Sequence, residues 1–178
     1  MSGWKTLSTE KVYETAWFKV RRDQVINHNN KEITYSVLEL HSPSVTIAAM
    51  DTQGRIMVQR QYRYSLDKSI WEFPAGHSDG ENLVAAAKRE LLEETGMTSD
   101  EWVELGDINV AVGVANISSR LFLAKNAKNV SDKRDEEEDI TSQQFMSINE
   151  IEDLVLKGEL VDAPSLAALY FIKLHTKD

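Results

Sequence analysis

The sequence predicts an α+β fold or an α/β/α sandwich, and three observations carry that prediction. Residues 4–49 read as β-rich, with alternating and β-branched residues broken by turn clusters. Further along, strand and helix patterns mix without the strict β-α-β alternation of a doubly wound sheet. The chain has 178 residues, 42% hydrophobic and 28% charged. That suits one soluble globular domain with its own core and is short for two.

Taken in order, Tyr13–Arg22 and Ile33–Leu40 are predicted strands, separated by the turn-forming run Asn27-His28-Asn29-Asn30. Val45, Ile47 and Ala49 alternate, and Asp51-Thr52-Gln53-Gly54 reads as a hairpin turn before Ile56 and Val58. The strand ends near Arg60, and Arg63–Ile70 reads as a loop. Trp71-Glu72-Phe73-Pro74-Ala75-Gly76 then leads towards a helix. Trp102–Val114 and Arg120–Ala124 are further strands, and Phe145–Ile148 is a possible last one. Lys125–Asp139 is polar and ends in five consecutive acids, the composition of a solvated loop. Asn149–Gly158 and Ala163–His175 read as helices, the second opened by Pro164 with Leu166, Leu169 and Ile172 on one face.

The central helix carries the chemistry. Asn82 is a predicted N-cap and Gly96 a left-handed C-terminal stop, with Val84, Ala87 and Leu91 as an apolar stripe between them. Glu90, Glu93 and Glu94 fall within roughly a 100° arc beside that stripe. Carboxylates so close repel one another, yet they make a dense oxygen surface for a hard divalent cation. A solvated acidic face is the plain alternative for a Glu-rich helix. The Gly-rich loop before it, the loop acid Glu81 and the inserted Arg89 argue against that alternative.

The segment Gly76–Met97 resembles the signature of the Nudix hydrolases, Gly-x5-Glu-x7-Arg-Glu-apolar-x-Glu-Glu-x-Gly-apolar. Glu81, Arg89, Glu90, Leu91, Glu93, Glu94, Gly96 and Met97 all match. The front departs: four residues separate Gly76 from Glu81, so at conserved spacing Ala75 takes the place of the first glycine. The resemblance implies an α/β/α sandwich with a mixed central sheet. It further implies that Glu90, Glu93, Glu94 and the Ala75 carbonyl hold Mg²⁺ or Mn²⁺. Arg89 would pair with a helix acid or with Glu81, fixing geometry rather than touching substrate.

A second constellation narrows the resemblance. Gln61-Tyr62-Arg63 followed by Glu72-Phe73-Pro74-Ala75-Gly76 is similar to the ADP-ribose and nucleoside-diphosphate-sugar pyrophosphatase branch. On that likeness Arg60 and Arg63 would contact phosphate, a task suited to arginine's planar, permanently charged fork. Glu72 would help hold the substrate or the dimer. The branch forms homodimers by exchanging N-terminal strands, so residues 1–42 would be a β-rich dimerisation and substrate-binding region, and 43–178 the hydrolase domain. Trp17 and Tyr35 are the candidates to stack on the nucleobase. The general base in this branch is a glutamate on a loop after the box, here Glu136 or next Glu138, with Glu93 as the further candidate. One feature departs: Val110-Ala111-Val112-Gly113-Val114-Ala115-Asn116 lacks the proline that many ADP-ribose hydrolases carry there, leaving other nucleotide sugars open.

Composition sets the remaining bounds. The net charge of −9 disfavours nucleic acid as a partner while leaving a nucleotide open. The absence of cysteine fits a reducing cytoplasm, and no apolar run approaches a membrane span. The expected reaction is hydrolysis of ADP-ribose or another nucleoside diphosphate sugar to a nucleoside monophosphate and a sugar phosphate. The alternatives are hydrolysis of dinucleoside polyphosphates or nucleoside triphosphates, and a non-catalytic nucleotide sensor of the same fold.

Overall fold

The computed structural model describes residues 3–132 and 139–175. The strands in chain order are β1 (Lys5–Glu14), β2 (Phe18–Ile26), β3 (Glu32–Leu40), β4 (Ser44–Ala49), β5 (Ile56–Arg63), β6 (Lys68–Glu72), β7 (Ala75–His77), β8 (Met97–Thr98), β9 (Glu101–Val110), β10 (Ala115–Lys125), β11 (Lys128–Asn129) and β12 (Ile140–Met146). The helices are α1 (Leu83–Thr95), α2 (Ile148–Leu156) and α3 (Ala163–His175). Backbone contacts divide these into two compact units, Met1–Pro43 with Asn109–Ser118, and Ser44–Ile108 with Ser119–Asp178.

The first unit is an antiparallel meander, β1 against β2 and β2 against β3, with Ala115 and Asn116 lying parallel to Leu38 and Glu39. The predicted strand Tyr13–Arg22 is in fact two strands. The Thr15 hydroxyl accepts from the Trp17 and Phe18 amides at 3.1 Å each and reverses the chain there. β1 is exposed at every position, so no one-sided burial imposes the alternation by which a strand is recognised. Trp102–Val114 likewise breaks, at a turn where Ala111 takes φ 55° and accepts from the Val114 and Ala115 amides.

The second unit is the sandwich. β4 runs parallel to Ser119–Ala124 and antiparallel to β7, a mixed sheet. Strand side chains alternate between faces. Val45, Ile47, Ala49, Phe122 and Ala124 pack with Ala86, Ala87 and Leu91 of α1. Ala48, Leu121 and Leu123 pack with Ile151 and Leu154 of α2 and with Ala168, Leu169 and Ile172 of α3. One helix covers one face and two cover the other, as the predicted α/β/α sandwich requires. β5 forms a second sheet between β12 and β6.

The predicted caps of α1 are present. The Asn82 side chain accepts from the Val84 and Ala85 amides, and Gly96 closes the helix at φ 66°. Other boundaries differ, among them that of β5, which runs to Arg63. Most of the predicted Arg63–Ile70 loop contracts to a 3₁₀ turn, Tyr64–Leu66, and the strand β6. The last strand is Ile140–Met146 rather than Phe145–Ile148, because a capping box between Ser147 and Glu150 starts α2 at Ile148.

Candidate active site

α1 enters from the turn Ser78–Asn82, in which Asp79 and Gly80 both have positive φ. That turn carries Glu81 back over the helix. Arg89 is the hub of the resulting cluster. Its Nη1 donates to Glu90 Oε1 and to Glu93 Oε2, both at 2.9 Å, and its Nε donates to Glu81 Oε2 at 3.3 Å. Nη2 donates to the His77 carbonyl at 2.9 Å, which ties helix to strand β7. Partial burial opposes the Arg89 charge, but the bonds to Glu93, Glu90 and Glu81 outweigh it and hold the pKa above the ordinary arginine value. The side chain therefore stays a cation, bridging acids that would otherwise repel.

Glu90 and Glu94 face inward. Glu90 lies against Gly76 so closely that a Cβ there would stand 2.1 Å from the Glu90 carboxyl carbon. Gly76 is thus needed as a space for a carboxylate, and its φ is not in the left-handed region. Burial pushes the Glu90 pKa up despite the pull of Arg89, with repulsion from Glu93 and Asp79 adding to the rise. Glu94 is 3% exposed. Its Oε2 accepts from Gln59 Nε2 at 2.7 Å, with the Ala75 amide at 3.4 Å.

The donor set fits a hard divalent cation. Carboxylate oxygens suit such an ion, one carboxylate has its charged form disfavoured by burial, and a glycine leaves room for it. Among the described residues no three acidic or histidine side chains already stand in coordinating geometry. Glu90 and Glu93 are instead turned to Arg89, and Glu94 to Gln59.

The other predicted residues fall in separate places. Arg63 makes a two-pronged pair with Glu72, Nε donating to Oε2 at 3.0 Å and Nη2 to Oε1. Glu72 is 2% exposed and sits opposite Gln59 in the β5–β6 ladder, so the pair lies on the α1 side of that sheet. Arg60 adjoins Gln59 on the strand and therefore leaves the opposite face, the one on which Val58 joins the α2–α3 core. The structure does not bring Arg60 and Arg63 together. Trp17 and Tyr35 belong to the first unit. Trp17 is 65% exposed in the β1–β2 turn, and Tyr35 donates its hydroxyl to the Gly113 carbonyl and meets Trp4 edge-on at 6.0 Å.

Glu136 and Glu138 lie outside the described residues. The residues on either side of that stretch are anchored beside the site. The Val130 and Ser131 amides donate to the Gly96 carbonyl at the end of α1, and the Tyr62 amide donates to the Asp139 carbonyl. Gln59 and Gln143 were missed in the sequence. The available signal was a glutamine following three apolar residues, Ile56-Met57-Val58, in a strand whose core it must enter.

An α/β/α sandwich whose central helix carries acids bridged by an arginine, after a glycine that makes room for one of them, defines a Nudix-type hydrolase. Comparison with known proteins agrees. Residues 40–169 match the NUDIX domain family and residues 4–38 the nucleoside diphosphate sugar hydrolase N-terminal domain. The chain is 36% identical to the ADP-ribose pyrophosphatase of Mycobacterium tuberculosis, over 93% of this chain and 81% of that one. It is 28% identical to the ADP-ribose pyrophosphatase of Bacillus subtilis, over 96% and 92%. A crystal structure of an ADP compounds hydrolase shares the fold at TM-score 0.86 and 22% identity, covering 98% of this chain and 94% of that one. The chain belongs to the Nudix family and is a pyrophosphohydrolase. Nudix enzymes generally use divalent metal ions. Among the described residues no helix is long and apolar enough to cross a membrane.

Proposed function

We propose that the chain hydrolyses the pyrophosphate bond of ADP-ribose or of a nucleoside diphosphate sugar such as ADP-glucose or GDP-mannose. The products are a nucleoside monophosphate and a sugar phosphate. The single observation that carries this is likeness along nearly the whole chain to relatives named ADP-ribose pyrophosphatase, N-terminal region included. Glu90, Glu93, Glu94 and the Ala75 carbonyl would hold Mg²⁺ or Mn²⁺. When bound, the ion supplies positive charge against the diphosphate oxygens and lowers the pKa of water. Arg89 holds Glu90 and Glu93 in place and keeps their mutual repulsion down. Arg63, positioned by Glu72 on the α1 face, is the proposed phosphate contact, whereas Arg60 leaves the opposite face of β5 and is not brought to the same phosphate. Trp17 and Tyr35 are the proposed surfaces for the base.

Turnover should be compared on ADP-ribose, GDP-mannose, ADP-glucose, diadenosine tetraphosphate and nucleoside triphosphates. A clear preference for the first three is expected, and a preference for either of the last two would overturn the substrate class.

Glu136 is the proposed general base, with Glu138 next and Glu93 after them. Glu136→Gln is expected to lower kcat by about 10²-fold or more with KM little changed, since the lost proton transfer belongs to the transition state. Should Glu136→Gln, Glu137→Gln and Glu138→Gln all match wild type, the base lies elsewhere and Glu93 is tested next.

The proposed assembly is a cytoplasmic homodimer joined through the first unit. Its edge strand β1 is wholly exposed, and Trp4, Leu7, Val12, Tyr13 and Trp17 all face solvent in the single chain. A wholly exposed edge strand with apolar side chains on and beside it is a template for another strand or surface. Light scattering at micromolar concentration should give twice the 20.2 kDa chain mass. A monomer would contradict it.

A further inference from the structure

We infer that Gln59 and Gln143 form an amide relay that orients the Glu94 carboxylate for metal binding, making both of them positioning residues of the reaction. The inference rests on the reading of Glu94 as a metal ligand. Gln59 has no exposed surface. A primary amide buried so completely is unfavourable unless its donors and acceptor are met, and an apolar side chain would fill the same strand position without that requirement. Here the site itself meets one N–H and the carbonyl oxygen. Gln59 Nε2 donates to Glu94 Oε2 at 2.7 Å, and Gln143 Nε2 donates to Gln59 Oε1 at 3.3 Å. The same Gln143 nitrogen donates to the Glu94 main-chain carbonyl at 2.8 Å.

The polarity of this loop has one consistent direction. An ionised carboxylate only accepts, so the Gln59 NH₂ must face Glu94, and its carbonyl oxygen must then meet a donor. Gln143 stands directly opposite Gln59 in the β12–β5 ladder, which puts both amides on the α1 face and supplies that donor. The bond from Gln143 to the Glu94 carbonyl also engages one of the carbonyls that the last turn of a helix leaves without an intrahelical partner. Both ends of the residue, carboxylate and backbone, are thereby referenced to one rigid ladder. A ligand held this way loses little freedom when a cation binds, the usual contribution of groups behind a metal ligand.

The test compares wild type with Gln59→Met, which keeps an unbranched side chain of similar volume and removes the amide. Mn²⁺ affinity of the substrate-free protein is measured by calorimetric titration, together with kcat, KM and the melting temperature. The expected result is a loss of Mn²⁺ affinity of about 10-fold or more and a lower kcat, with KM for the nucleotide unchanged. In a Glu94→Gln background the same substitution should change Mn²⁺ affinity by less than about twofold, because the pair acts as one unit. Full Mn²⁺ affinity in Gln59→Met alongside weakened affinity in Glu94→Gln would overturn the relay and leave Glu94 a ligand. Full affinity in Glu94→Gln would instead overturn the ligand reading beneath it. If Gln59→Met does not fold, Gln143→Met decides by the same readouts, with about a threefold or greater loss of affinity expected and no loss overturning the relay.

Discussion

Glu94→Gln should leave the protein folded and remove nearly all of its turnover. The substitution is isosteric and barely changes helix propensity. It also replaces the one group that Gln59 is arranged to donate to, so the amide must turn its oxygen towards Gln59 or lose the bond. What disappears, on the proposed reading of Glu94 as a metal ligand, is a carboxylate oxygen in a buried position. A drop in kcat of about 10²-fold or more is expected, close to 2.7 kcal/mol of transition-state stabilisation. Glu90→Gln should behave alike in turnover and differ in stability. Burial raises the folded-state pKa of Glu90, so its ionisation in the metal-free fold is unfavourable and stability falls as pH rises through that raised pKa. Removing the charge should therefore not lower the melting temperature of the metal-free protein at neutral pH. More than about a tenth of wild-type turnover in both variants would take them out of the metal site.

Gly76→Ala is expected to inactivate the enzyme with little loss of stability. The new methyl would overlap the carboxyl group of Glu90, the far end of a flexible side chain that can swing away. The cost then falls on the site instead of the fold. Turnover and Mn²⁺ affinity should both approach those of Glu90→Gln, with a melting temperature within a few degrees of wild type. Wild-type activity in Gly76→Ala would mean that the carboxylate works from another position.

Much of the site was legible because its requirements are local. Helix caps, an apolar stripe and acids within one arc all follow from 3.6 residues per turn, and α1 and α3 occur where the pattern puts them. The sandwich was legible for the related reason that β4 alternates between two buried faces. Illegible features depend on distant partners. β1 has no buried face, so its residues carry no period. β6 is held by its ladder with β5, and nothing in Lys68-Ser69-Ile70 by itself announces a strand. The opposed directions of Arg60 and Arg63 follow from where the faces of β5 lie, which becomes known only once Gln59 is seen to meet Glu94. The space at Gly76 could be read from its motif position but not explained, because the carboxylate that fills it arrives from fourteen residues further along.

The measurement that tests the central claim most directly is product analysis of ADP-ribose and of nucleotide sugars incubated with the protein and Mg²⁺ or Mn²⁺, alongside Glu94→Gln. Release of a nucleoside monophosphate and a sugar phosphate by wild type, dependent on the added metal and lost in Glu94→Gln, is the expected result. Nucleotide binding without release of any monophosphate from any of these substrates, with either metal, would contradict the account.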